Sequence, residues 1–407
     1  LSSYDILTTY LSFEVKKMQN TAVNTKQDEK VSTTYSRTNP FQAKVLNNIN
    51  LNGEASAKET RHLELSLEGS GLSYNPGDAL GILPSNDPAL VTAILDEMKW
   101  DPAAEMIINK QGDTLSLREA LTDYFEITLL SKKILQQAAE FTENEELKQL
   151  LLPENADQVK EYCYGRDLLD MLREFGPWNA TAQDVVSMLR KMTARLYSIA
   201  SSFAAHPGQV HLTIGAVRYN AHGRDRKGVC STLVAERSFA GDTLPVFVQP
   251  NKHFHLPESA QDIIMVGPGT GIAPFRSFIE ERAVTKAPGR AWLFFGDQHA
   301  ACDYLYQDEL EQYLQDGVLT TITTAFSRDT DEKVYVQHRM VEHGKELFDW
   351  LENGASFFVC GDKSRMAKDV HNALIDVIEK EGNMSREDAE SYLNDLQKQG
   401  RYQRDVY

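Results

Sequence analysis

The sequence predicts an antiparallel β-barrel carrying a helical insertion, followed by a doubly wound α/β domain with a parallel sheet. Three observations carry that prediction. Short alternating apolar runs broken by turn residues fill Phe41 to Pro84 and resume at RLYSIASS, VHLTIGAVRY and LPVFVQP. Between the two sets, roughly a hundred residues place apolar side chains at spacings of three and four, the period of amphipathic helices. After Pro257, near-continuous apolar runs alternate with helical segments, as buried parallel strands covered on both faces require.

In chain order, LSSYDILTTYLSFE at residues 1–14 is apolar enough for a docked arm or the remnant of a preceding domain. The start at Leu1 rather than Met suggests a piece of a longer polypeptide. Residues 15–38 are polar, aperiodic and nearly free of large aliphatics, which marks a linker. The arm and linker are therefore placed at 1–38 and the barrel at 39–256, beginning with the strand runs AKVLNNINL and RHLELSLEG and the turn-bearing YNPGDALGIL. The insertion spans about 86–192 and contains DPALVTAILDEM, LREALTDYF, DLLDMLREF and AQDVVSMLRKM. In the last segment, 257–407, the strands are DIIMVG, AWLFFGD, VLTTITTAFS and SFFVCGD. Helices between them are PFRSFIEERA, YLYQDELEQYL, QHRMVEHGKELFDWL and RMAKDVHNALIDVIEK.

Composition narrows the function. A formal net charge of −17 over 407 residues argues against general affinity for nucleic acid or anionic lipid, both of which would repel it. No apolar run of about 18 residues exists, and no basic stretch leads into an apolar one at the start, so the cytoplasm is the default location. Cys163, Cys230, Cys302 and Cys360 are scattered without C-x-x-C pairs, so neither a metal centre nor a disulfide framework is expected. The ten histidines show no H-E-x-x-H or triad arrangement, and hydrolase chemistry has no anchor.

Four stretches can carry chemistry. In VGPGTGIAPF, residues 266–275, glycines at 267, 269 and 271 follow an apolar strand and lead into a helix, where backbone N–H groups can approach a phosphate closely. A plain tight turn is the alternative, because the spacing is not G-x-G-x-x-G. AFSRDTDEKVYVQ puts Ser327 and Arg328 just past the third strand, with Lys333, Tyr335 and Gln337 close behind. Such a set suits an extra phosphate like the one that distinguishes NADP from NAD; a solvated loop is the alternative. RLYSIASS combines Arg195, Tyr197 and Ser198, able to pair a pyrophosphate, stack on a flat ring and hydrogen-bond it; an ordinary sheet surface, where Arg and Tyr are common, is the alternative. GVCST is a second candidate anion cradle, and Cys360 ends a strand beside the GPGTG loop, with core filling as the alternative.

Together RLYS, GVCS, GPGTGIAPFR, FFGD, SRD with KVYVQ, VCGD and the terminal DVY resemble the ferredoxin-NADP reductase-like diflavin reductase family. The resemblance covers about residues 39–407, with the motifs in order. It implies that the barrel binds FAD and the parallel-sheet domain binds NADPH. Arg195, Leu196, Tyr197 and Ser198 would hold the FAD pyrophosphate and isoalloxazine. Thr213, Ile214, Gly215 and Tyr219 would line the rest, and Gly228, Val229, Cys230 and Ser231 would form the second phosphate loop. Gly269, Thr270 and Gly271 match the NADPH pyrophosphate loop. Ser327, Arg328, Lys333 and Tyr335 match the 2′-phosphate clamp, with Val334, Val336, Gln337 and Asp369 as further cofactor contacts. Ser198, Cys360 and Asp405 would surround the hydride path, and Tyr407 would cover the isoalloxazine on the nicotinamide side, opposite Tyr197.

The same resemblance implies partners. Full-length members begin with a flavodoxin-like FMN domain, whose hydroxyl- and Gly-rich phosphate loop is not found in residues 1–38, so FMN is expected only in an upstream domain. Electrons would leave FAD through that FMN-binding domain to a sulfite-reducing haemoprotein subunit, in assimilatory reduction of sulfite to sulfide. A reductase serving another acceptor, such as a cytochrome, and a non-catalytic docking scaffold remain as alternatives.

Overall fold

The computed structural model describes residues 35–407, so the expectations for the arm and for the linker up to residue 34 lie outside the described residues. From Phe41 onward the chain lays down β1 (Phe41–Asn50), β2 (Thr60–Ser66) and β3 (Ala79–Ile82). The helical insertion then begins at Pro88–Met98, whose N-terminal amide at Ala89 is capped by Asp87, and ends with Ala182–Met188. A short ribbon the sequence reading did not foresee, β4 (Glu105–Ile107) with β5 (Thr114–Ser116), sits inside the insertion. Val91, Ile94, Leu117, Leu121, Leu135, Leu168 and Val185 form its own apolar core, which accounts for the helical period of the sequence there.

The barrel resumes with β6 (Arg195–Ser198) and β7 (Gln209–Gly215), a hairpin of β8 (Arg218–Ala221) and β9 (Arg224–Lys227), the helix Val229–Arg237, and β10 (Thr243–Gln249). Six strands pair antiparallel in the order β6-β3-β10-β1-β2-β7, and an Ile199–Leu212 bridge joins the two ends. Val45, Leu63, Leu65, Leu80, Ile82, Leu212 and Val246 fill the interior. Arg224 and Arg226 of β9 tie the barrel to the insertion: they donate to Asp167 and Asp170, the capping box of the helix Leu168–Glu174, at 2.6–2.8 Å.

Next come β11 (Ile263–Val266), β12 (Ala291–Asp297), β13 (Thr321–Phe326), β14 (Ser356–Gly361) and β15 (Tyr402–Val406), all parallel in the order β13-β12-β11-β14-β15. Each residue of β11 and β14 is buried, as expected for strands covered by helices on both faces. The four expected strands are present, and RYQRDVY supplies the unforeseen fifth, an edge strand paired only to β14. Its register sets Cys360 opposite Asp405. The chain crosses from β14 to β15 through the helices Met366–Glu381 and Arg386–Lys398, which bury Leu374, Ile378 and Leu393 against the sheet.

The two sheets are joined by polar contacts. Tyr306 directs its hydroxyl to Thr213 Oγ1 at 2.7 Å and lies 2.9 Å from His62 Nδ1. Arg276, on the helix Ala273–Thr285, donates to the Ala200 carbonyl at 2.6 Å and pairs with Glu280 at 2.8 Å. From the β1–β2 connection Gly53 N donates to Cys302 O, Asn52 donates to Asp303, and Lys58 pairs with Asp297 at the end of β12.

Candidate active site

Three segments far apart in sequence meet where the barrel faces the carboxyl edge of the parallel sheet. Ser198, the last residue of β6, donates to Asp405 Oδ2 of β15 at 2.6 Å, and Cys360 Sγ of β14 lies 3.9 Å from the same oxygen. Burial pushes the Asp405 carboxyl above its usual range, while the bonds from Ser198 and Cys360 hold that rise back. Burial and then the nearby Asp405 charge push the Cys360 thiol well up, so it stays a neutral thiol rather than a nucleophile. Beyond Asp405, Tyr407 is 63% exposed, and its hydroxyl lies 2.9 Å from Thr270 Oγ1 of the GPGTG loop. Its main chain is tied to β14 by Tyr407 N to Gly361 O and by Lys363 N to Tyr407 O.

The GPGTG loop forms a 3-10 turn, Gly269–Ile272, running into the helix Ala273–Thr285, and neither has a side-chain cap or an acidic residue in its first turn. Its close packing needs two of the glycines: a Cβ on Gly271 would sit 2.2 Å from the Cys360 carbonyl, and one on Gly267 2.5 Å from the Gly271 carbonyl. An uncapped helix start with no acid in its first turn, beside a cleft, suits a phosphate. That cleft, about 410 Å³, is lined by Gly269, Ser327, Tyr335, Val336, Gln337 and Asp369 among the expected residues. Arg328 and Lys333 are exposed on the loop outside its lining. Val336 is buried in the sheet core, so only its main chain can serve a ligand.

Two basic residues of this cleft escaped the sequence reading. Lys58 reaches in from the barrel to Asp297, whose carboxyl is raised by burial and lowered by that ammonium. No spacing rule links residues so far apart. Arg365, from the turn after β14, also lines the cleft.

On the barrel side, the structure brings Arg195, Tyr197 and Ser198 to one strand end but assigns their neighbours differently than expected. Leu196 points away and is largely exposed. Tyr197 packs on the barrel core, with Ala79–Ser198 and Leu80–Tyr197 in register on β3. Thr213 spends its hydroxyl on Tyr306 and Ile214 faces the core, so these two offer a ligand main chain only, as strand alternation dictates. Gly215 ends β7 against Thr270, where a Cβ would lie 3.4 Å from Thr270 Cγ2. Tyr219 stands half exposed on β8.

The second loop is similarly built from main chain. Gly228 precedes the helix Val229–Arg237 without a side-chain cap, and a Cβ there would strike Ser231 Oγ at 2.6 Å. Ser231 accepts from Val217 N at 3.1 Å, and Cys230 and Val229 are buried, so the free N–H groups of this helix start are the donors it offers. With the Arg195 guanidinium, two uncapped helix starts and one apolar-walled barrel, the donor set fits a dinucleotide with two phosphates and the nicotinamide nucleotide beside it.

The structure also gathers His62, His206 and His211, a cluster invisible in the sequence. His62, Glu64 and His211, and likewise His206, His211 and Glu280, place potential ligand atoms within 4.8 Å of one another. Tyr306, Glu64, Gln209, Glu280 and Arg276 already meet these rings, and the Arg276 cation lies 3.4 Å from His211 Nδ1. The cluster therefore serves the joint between the sheets.

An antiparallel barrel and a parallel sheet that each carry a glycine turn leading into an uncapped helix fit a flavoprotein reductase, and comparison with known proteins agrees. A model described as FAD binding domain matches residues 33–233, and one described as Oxidoreductase NAD-binding domain matches residues 265–372. The two matches fit a ferredoxin-NADP reductase-like flavoprotein, with sites for FAD and a nicotinamide nucleotide. It is 64% identical, over 92% of its length, to the sulfite reductase [NADPH] flavoprotein alpha-component of Bacillus subtilis (strain 168). The proteins of the same name from Aliivibrio fischeri and Escherichia coli O139:H28 are each 45% identical over 92% of the chain. The chain spans only 62%, 61% and 62% of those three relatives. No helix among the described residues is long and apolar enough to cross a membrane.

Proposed function

We propose that this chain is the NADPH-to-FAD portion of a sulfite reductase flavoprotein, divided as 1–38 arm and linker, 39–256 FAD-binding barrel with its insertion at about 86–192, and 257–407 NADPH-binding domain. The single observation that carries the reading is the meeting of Ser198, Cys360 and Asp405 with the Thr270–Tyr407 pair, where strand β6, the GPGTG loop and the C-terminal strand converge. When bound, NADPH supplies a hydride and FAD accepts it.

The chain's residues hold and orient. Arg195 and the main chain of 228–231 would hold the FAD pyrophosphate, and Tyr197 would support the flavin ring. Gly269, Thr270 and Gly271 bind the nucleotide pyrophosphate, while Ser327, Tyr335 and Gln337, joined by Arg328 and Lys333 from the exposed loop, take the 2′-phosphate. Asp405 accepts the Ser198 hydroxyl proton in a hydrogen bond and fixes that side chain at the hydride path, with the neutral Cys360 beside it. Tyr407 caps the ring face and must swing aside for nicotinamide; its exposure makes that movement inexpensive. Electrons would then pass to an FMN-binding domain and a sulfite-reducing haemoprotein subunit, in the cytoplasm.

Replacing Arg328 tests the nucleotide assignment. Arg328→Ala should weaken NADPH far more than NADH in ferricyanide reduction, by roughly tenfold or more, because one charge-assisted bond to the extra phosphate is lost. Equal losses for both nucleotides would remove Arg328 from the clamp.

A further inference from the structure

Glu126 lies in the helical insertion, 69 residues before Arg195, yet its carboxylate meets that guanidinium at 2.8 Å. The placement is built rather than incidental. Glu126 is 1% exposed, and its amide donates to the Arg190 carbonyl at 2.9 Å. Phe125 bridges Lys191, and Met192 N donates to the Tyr124 carbonyl at 2.6 Å, so residues 124–126 run antiparallel to the segment that leads directly into β6.

Both carboxylate oxygens are committed. Oε1 accepts from Thr128 N at 3.1 Å and from Thr128 Oγ1 at 2.6 Å, while Oε2 takes the Arg195 Nη2 bond. Burial alone would raise this carboxyl, but the bonds from Thr128 and Arg195 outweigh it, and Glu126 remains ionised. Arg195 is held a second time by Thr193, whose carbonyl and hydroxyl accept from Nη1 at 2.6 and 2.9 Å. A guanidinium has five N–H donors. These three bonds leave two, one on Nε and one on Nη2, on a side chain that is still part exposed.

We propose that Glu126 is a positioning residue for flavin binding: with Thr193 it fixes the Arg195 guanidinium so that its two remaining donors face the FAD pyrophosphate. This rests on the assignment of Arg195 to that pyrophosphate. A fixed, partly satisfied guanidinium loses less side-chain entropy on binding phosphate than a free one, and its planar fork suits two phosphate oxygens. The insertion thereby becomes part of the FAD site, since a chain lacking it would leave Arg195 held by Thr193 alone.

The test measures binding, not turnover. FAD is stripped from the full chain and titrated back while quenching of its fluorescence is followed, for the wild type, Glu126→Ala, Glu126→Gln, Thr128→Val and Arg195→Ala. Glu126→Ala should bind FAD at least tenfold more weakly, with Glu126→Gln and Thr128→Val intermediate. Unchanged or tighter binding by Glu126→Ala, beside a clear loss in Arg195→Ala, overturns the proposal and leaves a buried ion pair of structural value only. Unchanged binding by Arg195→Ala sinks the assignment of Arg195 itself, and this inference with it. Should Glu126→Ala not fold, Glu126→Gln and Thr128→Val decide: weakening in both supports the proposal, and wild-type binding in both refutes it.

Discussion

Replacing Arg276 by Met should destabilise the joint between the barrel and the parallel sheet more than any other single change there. Arg276 is 6% exposed and donates to the Ala200 carbonyl at 2.6 Å and to Glu309 Oε2 at 3.0 and 3.1 Å, beside its pairing with Glu280. The methionine fills much of the space but leaves Glu280, itself 2% exposed, as a buried carboxylate with its main counter-charge gone. Removing one partner of a buried pair costs about 3 to 5 kcal/mol, a large part of a typical folding free energy of roughly 5 to 15 kcal/mol. Burial already pushes the Glu280 carboxyl upward against the Arg276 charge, so without Arg276 it takes up a proton more readily. The loss should therefore be larger at pH 8 than at pH 5. Urea unfolding at both pH values measures it, and Arg276→Met combined with Glu280→Gln should recover at least about 1 kcal/mol, because the stranded charge is gone. A single-variant cost below about 1 kcal/mol, or a double variant no better than the single, would refute the reasoning.

Other consequences are as direct. Burial and then the Arg276 charge lower His62 to about 4. A folded-state value below the unfolded 6.5 means the unfolded chain takes the proton first, so stability present above pH 6.5 drains away between there and about 4, by up to about 3 kcal/mol. Subtracting the His62→Gln profile from that of the wild type should isolate this slope, and parallel profiles would deny it. Gly271→Ala sets a methyl where the Cys360 carbonyl stands, and should push the GPGTG loop off β14 and abolish NADP binding in calorimetry; wild-type affinity would show the loop has room. Deleting Tyr407 removes a ring whose stacking is worth about 0.5 to 1.5 kcal/mol beyond burial, so NADH use should improve several-fold relative to NADPH and flavin fluorescence should rise. No change in either would make the residue a simple chain end.

The sequence made the parallel sheet legible because IIMV, AWLFFG and SFFVCG are buried on both faces, which leaves no polar residue inside the run. It hid β15 because YQRDV lies at the edge, where only Tyr402 is buried and the pattern looks polar. The two glycine turns proposed to hold phosphate were legible for a local reason: glycines at the start of a helix are a property of adjacent residues. Lys58, Glu126 and the histidine cluster were not, since each meets its partner across the fold, as Lys58 does with Asp297 239 residues away. Side-chain direction was the other loss. A motif such as TIG marks a segment, while strand alternation decides that Thr213 turns to Tyr306 and Ile214 to the core.

The central claim is that one chain holds FAD where NADPH can reduce it, with Ser198, Cys360, Asp405 and Tyr407 around the reacting atoms. An anaerobic visible spectrum of the purified protein, reconstituted with FAD and then mixed with NADPH, tests it most directly. The account predicts a bound flavin band that bleaches rapidly with NADPH and far more slowly with NADH. A protein that takes up no FAD, or a flavin band that NADPH leaves intact, would contradict it.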